Sequence, residues 1–362
     1  MKPLRWGFLS TAGIARKNWV AIQQTENCVV TAVASRELAR AEAFIQDCQA
    51  AAPFAVTPQA LGSYEALLAS PDVDAVYIPL PTGLRAVWVI RAAQAGKHVL
   101  CEKPCATSAV ELEHMLAACR LHKVQFMDGV MFMHNPRLPV LRQVLDDGVS
   151  VGAIRRIMSI FSFLGYPDFA QKNIRAQGHL EPAGCLGDLG WYCVRFALWA
   201  RRWEMPREVT GRILAAREDG QGGVSGPMEF SGELFFADGA TAGFYCSFTA
   251  PNQRWVNVSG SKGSLRMDDF VHPFNPQALT YQHNDALVPV VVPEVRDAGG
   301  RVLVQTQEVN MFRQFARQVA SGQLNPEWPQ WSGQTQEVQD ACLESARQGG
   351  RPVKVGGKCG GK

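Results

Sequence analysis

The chain has 362 residues, 47% of them hydrophobic and 19% charged, with a formal net charge of +3. That length exceeds the usual single domain and supplies a sizeable core. The scattered basic residues give no nucleic-acid groove, no apolar run is long enough to span a bilayer, and the ten cysteines contain no CxxC pair. The cysteines read as reduced core thiols of a cytoplasmic protein with no metal site. Residues 4–9 read as a buried strand, so no signal or transit peptide is expected.

Leu4–Ser10 is an apolar run ending in small residues, with helix-forming sequence from about Gly13. Ser10, Thr11, Ala12, Gly13 and Ile14 occupy the place of the glycine-rich turn that brings a pyrophosphate to the amides of a helix N-terminus. Against G-x-G-x-x-A, Ser10 and Ala12 replace both glycines and Ala15 is as expected; the small side chains keep the close approach feasible. A second strand, Val29–Ala34, arrives at the spacing of a βαβ unit and stops at Ser35-Arg36. NAD-specific proteins place an acidic residue near this point, on the ribose hydroxyl. A hydroxyl and a guanidinium, with Arg40 one helical turn on, suit a 2′-phosphate, so NADP is preferred over NAD. The alternative for these residues is a solvated helix start.

The alternation continues through a helix over Gly62–Ala69, a strand over Asp74–Ile78, a helix over Leu84–Ala95, a strand over Val99–Cys101, a helix from Ser108 to His122 and a strand over Val124–Asp128. Strands alternating with helices at these lengths predict an α/β fold with a doubly wound parallel (Rossmann) sheet over residues 1–126. Pro79-Leu80-Pro81-Thr82 ends one strand, which aims Thr82 at the crevice outside the carboxyl ends of the strands and stiffens a loop that would border a nicotinamide. The prolines could equally do no more than break the strand. Glu102-Lys103-Pro104 follows the central strand into the same crevice. A lysine held there is positioned for chemistry, the plain alternative being an ordinary strand-end lysine.

Past residue 127 the pattern changes. Residues 127–137 read as a linker and strand, followed by a helix from Pro136 to about Leu145. His134 and Asn135 could line a polar pocket, although capping that helix serves Asn135 equally well. Segments Ile154–Phe163, Val209–Ala216, Met228–Phe236, Thr241–Phe248 and Trp255–Gly260 read as strands, with Asp238-Gly239 and Lys262-Gly263 as hairpin turns. This predicts an α+β second domain, residues 127–355, with a large open-faced and mostly antiparallel sheet, then a frayed tail at 356–362. Helices at Val309–Ser321 and Thr335–Gln348 close the domain. A further helix begins at Gly184–Tyr192 and sets Asp188 and Tyr192 four apart on one face. They form a polar site there, or else a helix cap and a core aromatic.

These segments together resemble the glucose–fructose oxidoreductase / inositol dehydrogenase (Gfo/Idh/MocA) family along essentially the whole chain. Its most specific motifs appear as Glu102-Lys103-Pro104 and Gly187-Asp188-Leu189-Gly190-Trp191-Tyr192. The likeness is to the plant-type branch near dimeric dihydrodiol and D-xylose dehydrogenases, through Ala34-Ser35-Arg36, Pro79–Thr82, Asp128-Gly129, His134–Arg137 and Asn173-Ile174-Arg175. The resemblance implies a nicotinamide cofactor between a Rossmann domain and an open-faced sheet. Lys103 would then touch the substrate hydroxyl and the nicotinamide, and Asp188 and Tyr192 would complete the catalytic set. Glu102 and Pro104 would set its geometry, Pro104 often through a cis peptide, and His134, Asn135 and Arg175 would meet the substrate. Many relatives carry histidine at position 192, and plant-type relatives often have one where this chain has Arg85, which leaves substrate preference open.

The expected activity is hydride transfer between NADP and a hydroxyl, or the corresponding carbonyl, of a sugar, polyol or dihydrodiol, with the proton leaving through Lys103, Tyr192 or a water held by Asp188. Two alternatives stand beside it: an NAD-dependent glycosidase of the same family, and a non-catalytic NADP-binding regulator. The expected partners are a small sugar-like substrate and a second copy joined through the C-terminal sheet, with no nucleic acid and no membrane.

Overall fold

The computed structural model describes residues 2–178, 180–218, 224–297 and 299–356. Nearly all of the glycine-rich tail, with Cys359, therefore lies outside the described residues. The other nine cysteines are free and buried, and among the described residues no helix is long and apolar enough to cross a membrane.

The chain opens with β1 (Leu4–Leu9), α1 (Gly13–Gln23), β2 (Cys28–Ala34), α2 (Leu38–Ala51), β3 (Gln59–Leu61), α3 (Tyr64–Ala69), β4 (Ala75–Ile78), α4 (Thr82–Gln94), β5 (His98–Cys101), α5 (Ala109–Leu121) and β6 (Phe126–Asp128). It continues through α6 (Arg137–Asp146), β7 (Ile154–Ser162), α7 (Phe169–Lys172), α8 (Trp191–Ala200), β8 (Glu208–Glu218), β9 (Val224–Phe235), β10 (Thr241–Ser247), β11 (Gln253–Gly260) and β12 (Ser264–Met267). Then come β13 (Thr280–His283), β14 (Ala286–Pro289), α9 (Gln307–Ala320), α10 (Glu327–Arg347) and β15 (Val353–Lys354). They form two compact units. The first takes in Met1–Cys105, Val110–Pro136 and Val292–Gln330; the second takes in Ala106–Ala109, Arg137–Val291 and Trp331–Lys362.

The first unit is built on a six-stranded parallel sheet in the order β3-β2-β1-β4-β5-β6. The order reverses between β1 and β4, which is where such sheets open a ligand crevice at their carboxyl ends. The central strands are buried on both faces, which is why their sequences read as continuous apolar runs. Gly7 gives α3 and its flanking turn close access to β1: a Cβ there would stand 2.8 Å from Leu67 and 2.9 Å from Val73, so both side chains would have to shift. Trp6 packs edge-on to Phe312 and against Phe315 of α9, each centroid about 5 Å away (5.1 and 5.0 Å). Burying side chains of this size supplies roughly 1.5–3 kcal/mol apiece. Ion pairs between Arg313 and Glu26 and a bond from Asn27 to the Arg313 carbonyl also hold α9 to this unit. The strand expected within residues 127–137 is instead a 3-10 turn at Met131–His134, closed by i→i+3 bonds from Met133 and Asn135 and covered by α9.

The second unit carries a nine-stranded sheet in the order β14-β13-β12-β11-β7-β10-β9-β8-β15. All its pairings are antiparallel except β7 with β10, which run parallel. Every residue of α8 is buried, as expected of a helix that is apolar apart from Arg195, whose Nε donates to Thr335, and Tyr192 meets Phe161 of β7 edge-on. The opposite face of β7 presents Arg156, Met158 and Ile160, aligned with Tyr245 of β10 and Trp255 of β11; these are half-buried to exposed. On the far side of β8, Gly211 lets the α10 backbone approach, since a Cβ would sit 2.1 Å from the Cys342 carbonyl oxygen. That helix begins at Glu327, eight residues before the expected start, because Pro329 is tolerated in a first turn.

Candidate active site

At the carboxyl end of β1, Ser10 takes φ 132°, a backbone conformation usually left to glycine. Its hydroxyl accepts a bond from the Ala12 amide at 3.3 Å. Helix α1 then starts with no side-chain cap and no acidic residue in its first turn. A Cβ on Gly13 would meet nothing within 4 Å. The helix N-terminus is open and electropositive, as a pyrophosphate requires.

Strand β2 is followed by Ser35, which is buried, and Arg36, which is exposed. Ser35 Oγ accepts from the Glu37 amide at 3.5 Å, and the Ser35 amide donates to the Leu61 carbonyl. Arg40 is engaged by Glu37 at 3.0 Å. Arg36 has no ion pair among the described residues and lies near enough to Tyr64 to bear on its hydroxyl. Of the two arginines singled out in the sequence, Arg36 is therefore the one whose charge the protein does not consume.

Glu102, Lys103 and Pro104 leave β5 at the same edge of the sheet, and the Lys103–Pro104 peptide is cis. Tyr77 of β4 donates its hydroxyl to Glu102 Oε1 at 2.6 Å. Burial, the Glu102 charge and this bond all push the Tyr77 phenol well above its ordinary value, so it remains a donor. Glu102 Oε2 in turn accepts the Lys103 amide at 3.3 Å. Gly129 leaves room for the carboxylate: a Cβ there would lie 3.2 Å from it. The lysine backbone is thus fixed through Glu102 by a tyrosine that reads in sequence as one more core aromatic. Its hydroxyl in an otherwise apolar strand was the available signal, because a buried phenol needs a partner.

Pro81 precedes α4, and Thr82 begins it, buried. Arg85 is buried as well and donates from Nε to the Leu80 carbonyl at 2.7 Å and from Nη1 to Thr82 Oγ1 at 3.0 Å and to the Pro104 carbonyl. His134 and Asn135 are buried against α9: His134 Nδ1 pairs with Gln314 Oε1 at 2.7 Å, and Asn135 Nδ2 donates to Gln307 Oε1 at 3.1 Å. Lys17 of α1 pairs with Glu308 of α9 at 2.6 Å.

In the second unit, Asp188 sits on a π-turn, Leu186–Gly190, that leads straight into α8, so the regular four-residue spacing to Tyr192 does not describe its geometry. Arg175 Nε reaches Asp188 Oδ2 at 2.9 Å. The Asp188 charge raises the Arg175 guanidinium further, burial opposes this, and Glu181, the Asp188 bond and Tyr192 add to the rise. Asn173 Oδ1 accepts the Arg175 amide at 3.0 Å and holds the turn that presents the arginine. Arg175, Asp188 and Tyr192 therefore act on one another within this unit.

Residues 4–130 match the profile of an oxidoreductase family with an NAD-binding Rossmann fold, and residues 140–266 match the GFO/IDH/MocA C-terminal domain. A dTDP-3,4-didehydro-2,6-dideoxy-α-D-glucose 3-reductase of Actinomadura kijaniata is 33% identical over 95% of this chain and 96% of its own length. The chain belongs to the Gfo/Idh/MocA oxidoreductase family. An NADP-dependent D-xylose 1-dehydrogenase of Haloferax volcanii is also 33% identical, over 96% of this chain and 98% of its own. The human trans-1,2-dihydrobenzene-1,2-diol dehydrogenase is 30% identical over 73% of this chain and 74% of its own. Among solved structures, a 3-ketoreductase of A. kijaniata crystallised with NADP and TDP-benzene superimposes with a TM-score of 0.79 at 28% identity, covering 95% of this chain and 98% of that one. The family thus accounts for the Rossmann order of the first sheet and for the large mixed sheet of the second unit.

Proposed function

We propose that this Gfo/Idh/MocA oxidoreductase is NADP-dependent and interconverts a hydroxyl and a carbonyl on a sugar, polyol or dihydrodiol, with Lys103, Asp188 and Tyr192 as catalytic residues. The observation that carries the reading is Lys103 at the carboxyl end of β5, on a backbone pinned through Glu102 to Tyr77, at the same sheet edge as the open N-terminus of α1. The relatives support it: two reduce or oxidise sugars, and a third oxidises a dihydrodiol. The A. kijaniata ketoreductase has also been solved with a lysine and with a tyrosine replaced, the residue types of Lys103 and Tyr192.

The residues fit a dinucleotide. The uncapped first turn of α1 and the open space beside Gly13 suit its pyrophosphate, and Arg36 suits a 2′-phosphate. Thr82, with Pro79, Leu80 and Pro81, forms the turn after the neighbouring strand β4. When bound, the dinucleotide supplies the hydride acceptor or donor. Lys103 and Tyr192 supply the groups that take up the hydroxyl proton as the carbonyl forms and return it in the reverse direction. Asp188, held by Arg175, accepts hydrogen bonds from sugar hydroxyls and so orients the reacting carbon.

Lys103→Met keeps length and apolar bulk while removing the amine. Turnover, followed by NADPH absorbance across a sugar and polyol screen, is expected to fall by about 10²–10⁴-fold with NADP(H) affinity retained. Full turnover in that variant would reject the reading.

Assembly and compartment complete the proposal. The half-buried face of the second sheet combines Met158, Tyr245 and Trp255 with Arg156 and Arg266, the residue types enriched at interfaces, around Ile160. It would join two copies, and a monomer mass by light scattering at micromolar concentration would reject the dimer. Nine buried free thiols fit a reducing cytoplasm.

A further inference from the structure

Arg85 lies in the first turns of α4, and its side chain meets only neutral acceptors: two carbonyls and a hydroxyl, with no carboxylate among the described residues. It is 5% exposed, and Thr82 is 2% exposed. A buried charge is costly unless hydrogen bonds surround it, and an apolar side chain of similar volume usually serves packing as well or better. Filling space therefore does not explain an arginine here. Its bonds do. The Leu80 carbonyl belongs to the turn that ends β4, and the Pro104 carbonyl belongs to the turn that ends β5. Thr82 Oγ1, which accepts from Arg85, also donates to the Pro104 carbonyl at 3.4 Å. One planar guanidinium therefore bridges two turns at the carboxyl edge, and its fixed fork sets both their spacing and their angle.

We propose that Arg85 is a positioning residue for the reaction: it locks the turn carrying Lys103 to the turn carrying Thr82, so that the lysine amine is held in register with the nicotinamide end of the cofactor site. It touches neither the substrate nor the reacting atoms. The effect belongs to geometry, and a displacement of about 1 Å at a reacting group costs about 10²-fold in rate.

The inference rests on reading Lys103 as the reacting lysine, so the test carries both variants. Arg85→Met removes all three hydrogen bonds at nearly constant length. It is expected to lower kcat by about 10²-fold while the substrate KM stays that of the parent and NADP(H) affinity falls by much less than kcat, because α1 and Arg36 are not touched and only the turn beside the nicotinamide is. Turnover is expressed per NADPH-binding site, titrated by fluorescence, which removes any loss of folded protein from the comparison. A structural role alone would lower melting temperature and site concentration and leave kcat per site unchanged, and that result overturns the proposal. If Arg85→Met does not accumulate folded, Arg85→Lys decides. A lysine keeps the charge but cannot span both carbonyls as a fork, so a kcat per site reduced about 10-fold supports the proposal and an unchanged one overturns it. Loss of turnover in Lys103→Met with full turnover in Arg85→Met would overturn the Arg85 inference alone. Full turnover in Lys103→Met would remove the functional reading itself.

Discussion

The two edges of the parallel sheet each treat one arginine and one carboxylate in opposite ways. At the amino edge, Arg5 donates to Asp74 Oδ1 at 2.7 Å and to Asp74 Oδ2 and Asp72 Oδ1 at 3.0 and 3.1 Å. Lys97 is tied to the carbonyls of Ser70 and Val73, and burial pushes the His98 imidazole down. A cleft of about 470 Å³ is lined by Asp74, Lys97 and His98, but Arg5 answers Asp74 and the two carbonyls hold Lys97. At the carboxyl edge, Arg85 is buried among neutral dipoles, Glu102 is held by a phenol and an amide, and the first turn of α1 has no acidic residue. An arginine and a carboxylate that neutralise each other stabilise a fold; a carboxylate held by a phenol and an amide, beside a helix terminus with no acidic residue, keeps its field for a ligand. The same sheet thus separates stability from chemistry along its strands.

That division predicts substitutions with opposite signatures. Arg36→Ala, at the carboxyl edge, is expected to weaken NADP(H) by about 1.5–3 kcal/mol, roughly 10- to 100-fold, with NAD(H) affinity and melting temperature unchanged. Isothermal titration of both dinucleotides reads this directly, and equal affinities in the parent protein would sink the arginine argument. Tyr77→Phe should leave the strand packed but release Glu102, lowering kcat by about 10-fold. It also carries a pH signature. The Tyr77 phenol is raised above its ordinary 10.0, so its contribution to stability is fully present below about pH 10 and is lost as pH rises through the folded value. Urea unfolding at pH 8 and at pH 11 should therefore show a steeper alkaline loss in the parent than in Tyr77→Phe.

The same contrast explains what could be read in the sequence. The β1–α1–β2 unit was legible because apolar runs at βαβ spacing leave few other packings, and Glu102-Lys103-Pro104 was legible because it closes a buried strand. Tyr77 was not: in Ala75–Ile78 every side chain is buried, and no periodicity marks the one with a polar tip. In sequence Arg85 stands out only as a replacement for the histidine of many relatives, whereas its three partners lie on turns that only the folded sheet brings together. Placing α9 beside β1 required a contact across some 300 residues, Trp6 to Phe312, that local pattern does not encode. The π-turn under Asp188 and the parallel pairing of β7 with β10 are likewise decided by tertiary packing around α8, and the two-residue β15 exists only because β8 offers it an edge. The π-turn interrupts the helical period between Asp188 and Tyr192, so the proposal for this pair rests on its residue types and not on that period.

The smallest expected effect lies at the amino edge and tests the comparison from its other side. Asp74 is partly exposed. Burial pushes its carboxyl up, but the Arg5 side-chain and backbone bonds, the Arg5 charge and Lys97 outweigh this and leave it below its ordinary 3.8. A carboxyl depressed in the folded state contributes stability that is present above its unfolded value and lost as pH falls through the folded one. Asp74→Asn should thus cost stability at pH 7 and progressively less toward pH 3. Because solvent screens the pair, the loss at pH 7 should be no more than about 1 kcal/mol. Chemical denaturation at the two pH values measures it, and kcat for whichever sugar or polyol proves active should not move at all, since no group at the carboxyl edge touches Asp74. A fall in kcat per NADPH-binding site in Asp74→Asn would mean that the two edges are coupled through β4, and the separation of stability from chemistry along this sheet would be wrong.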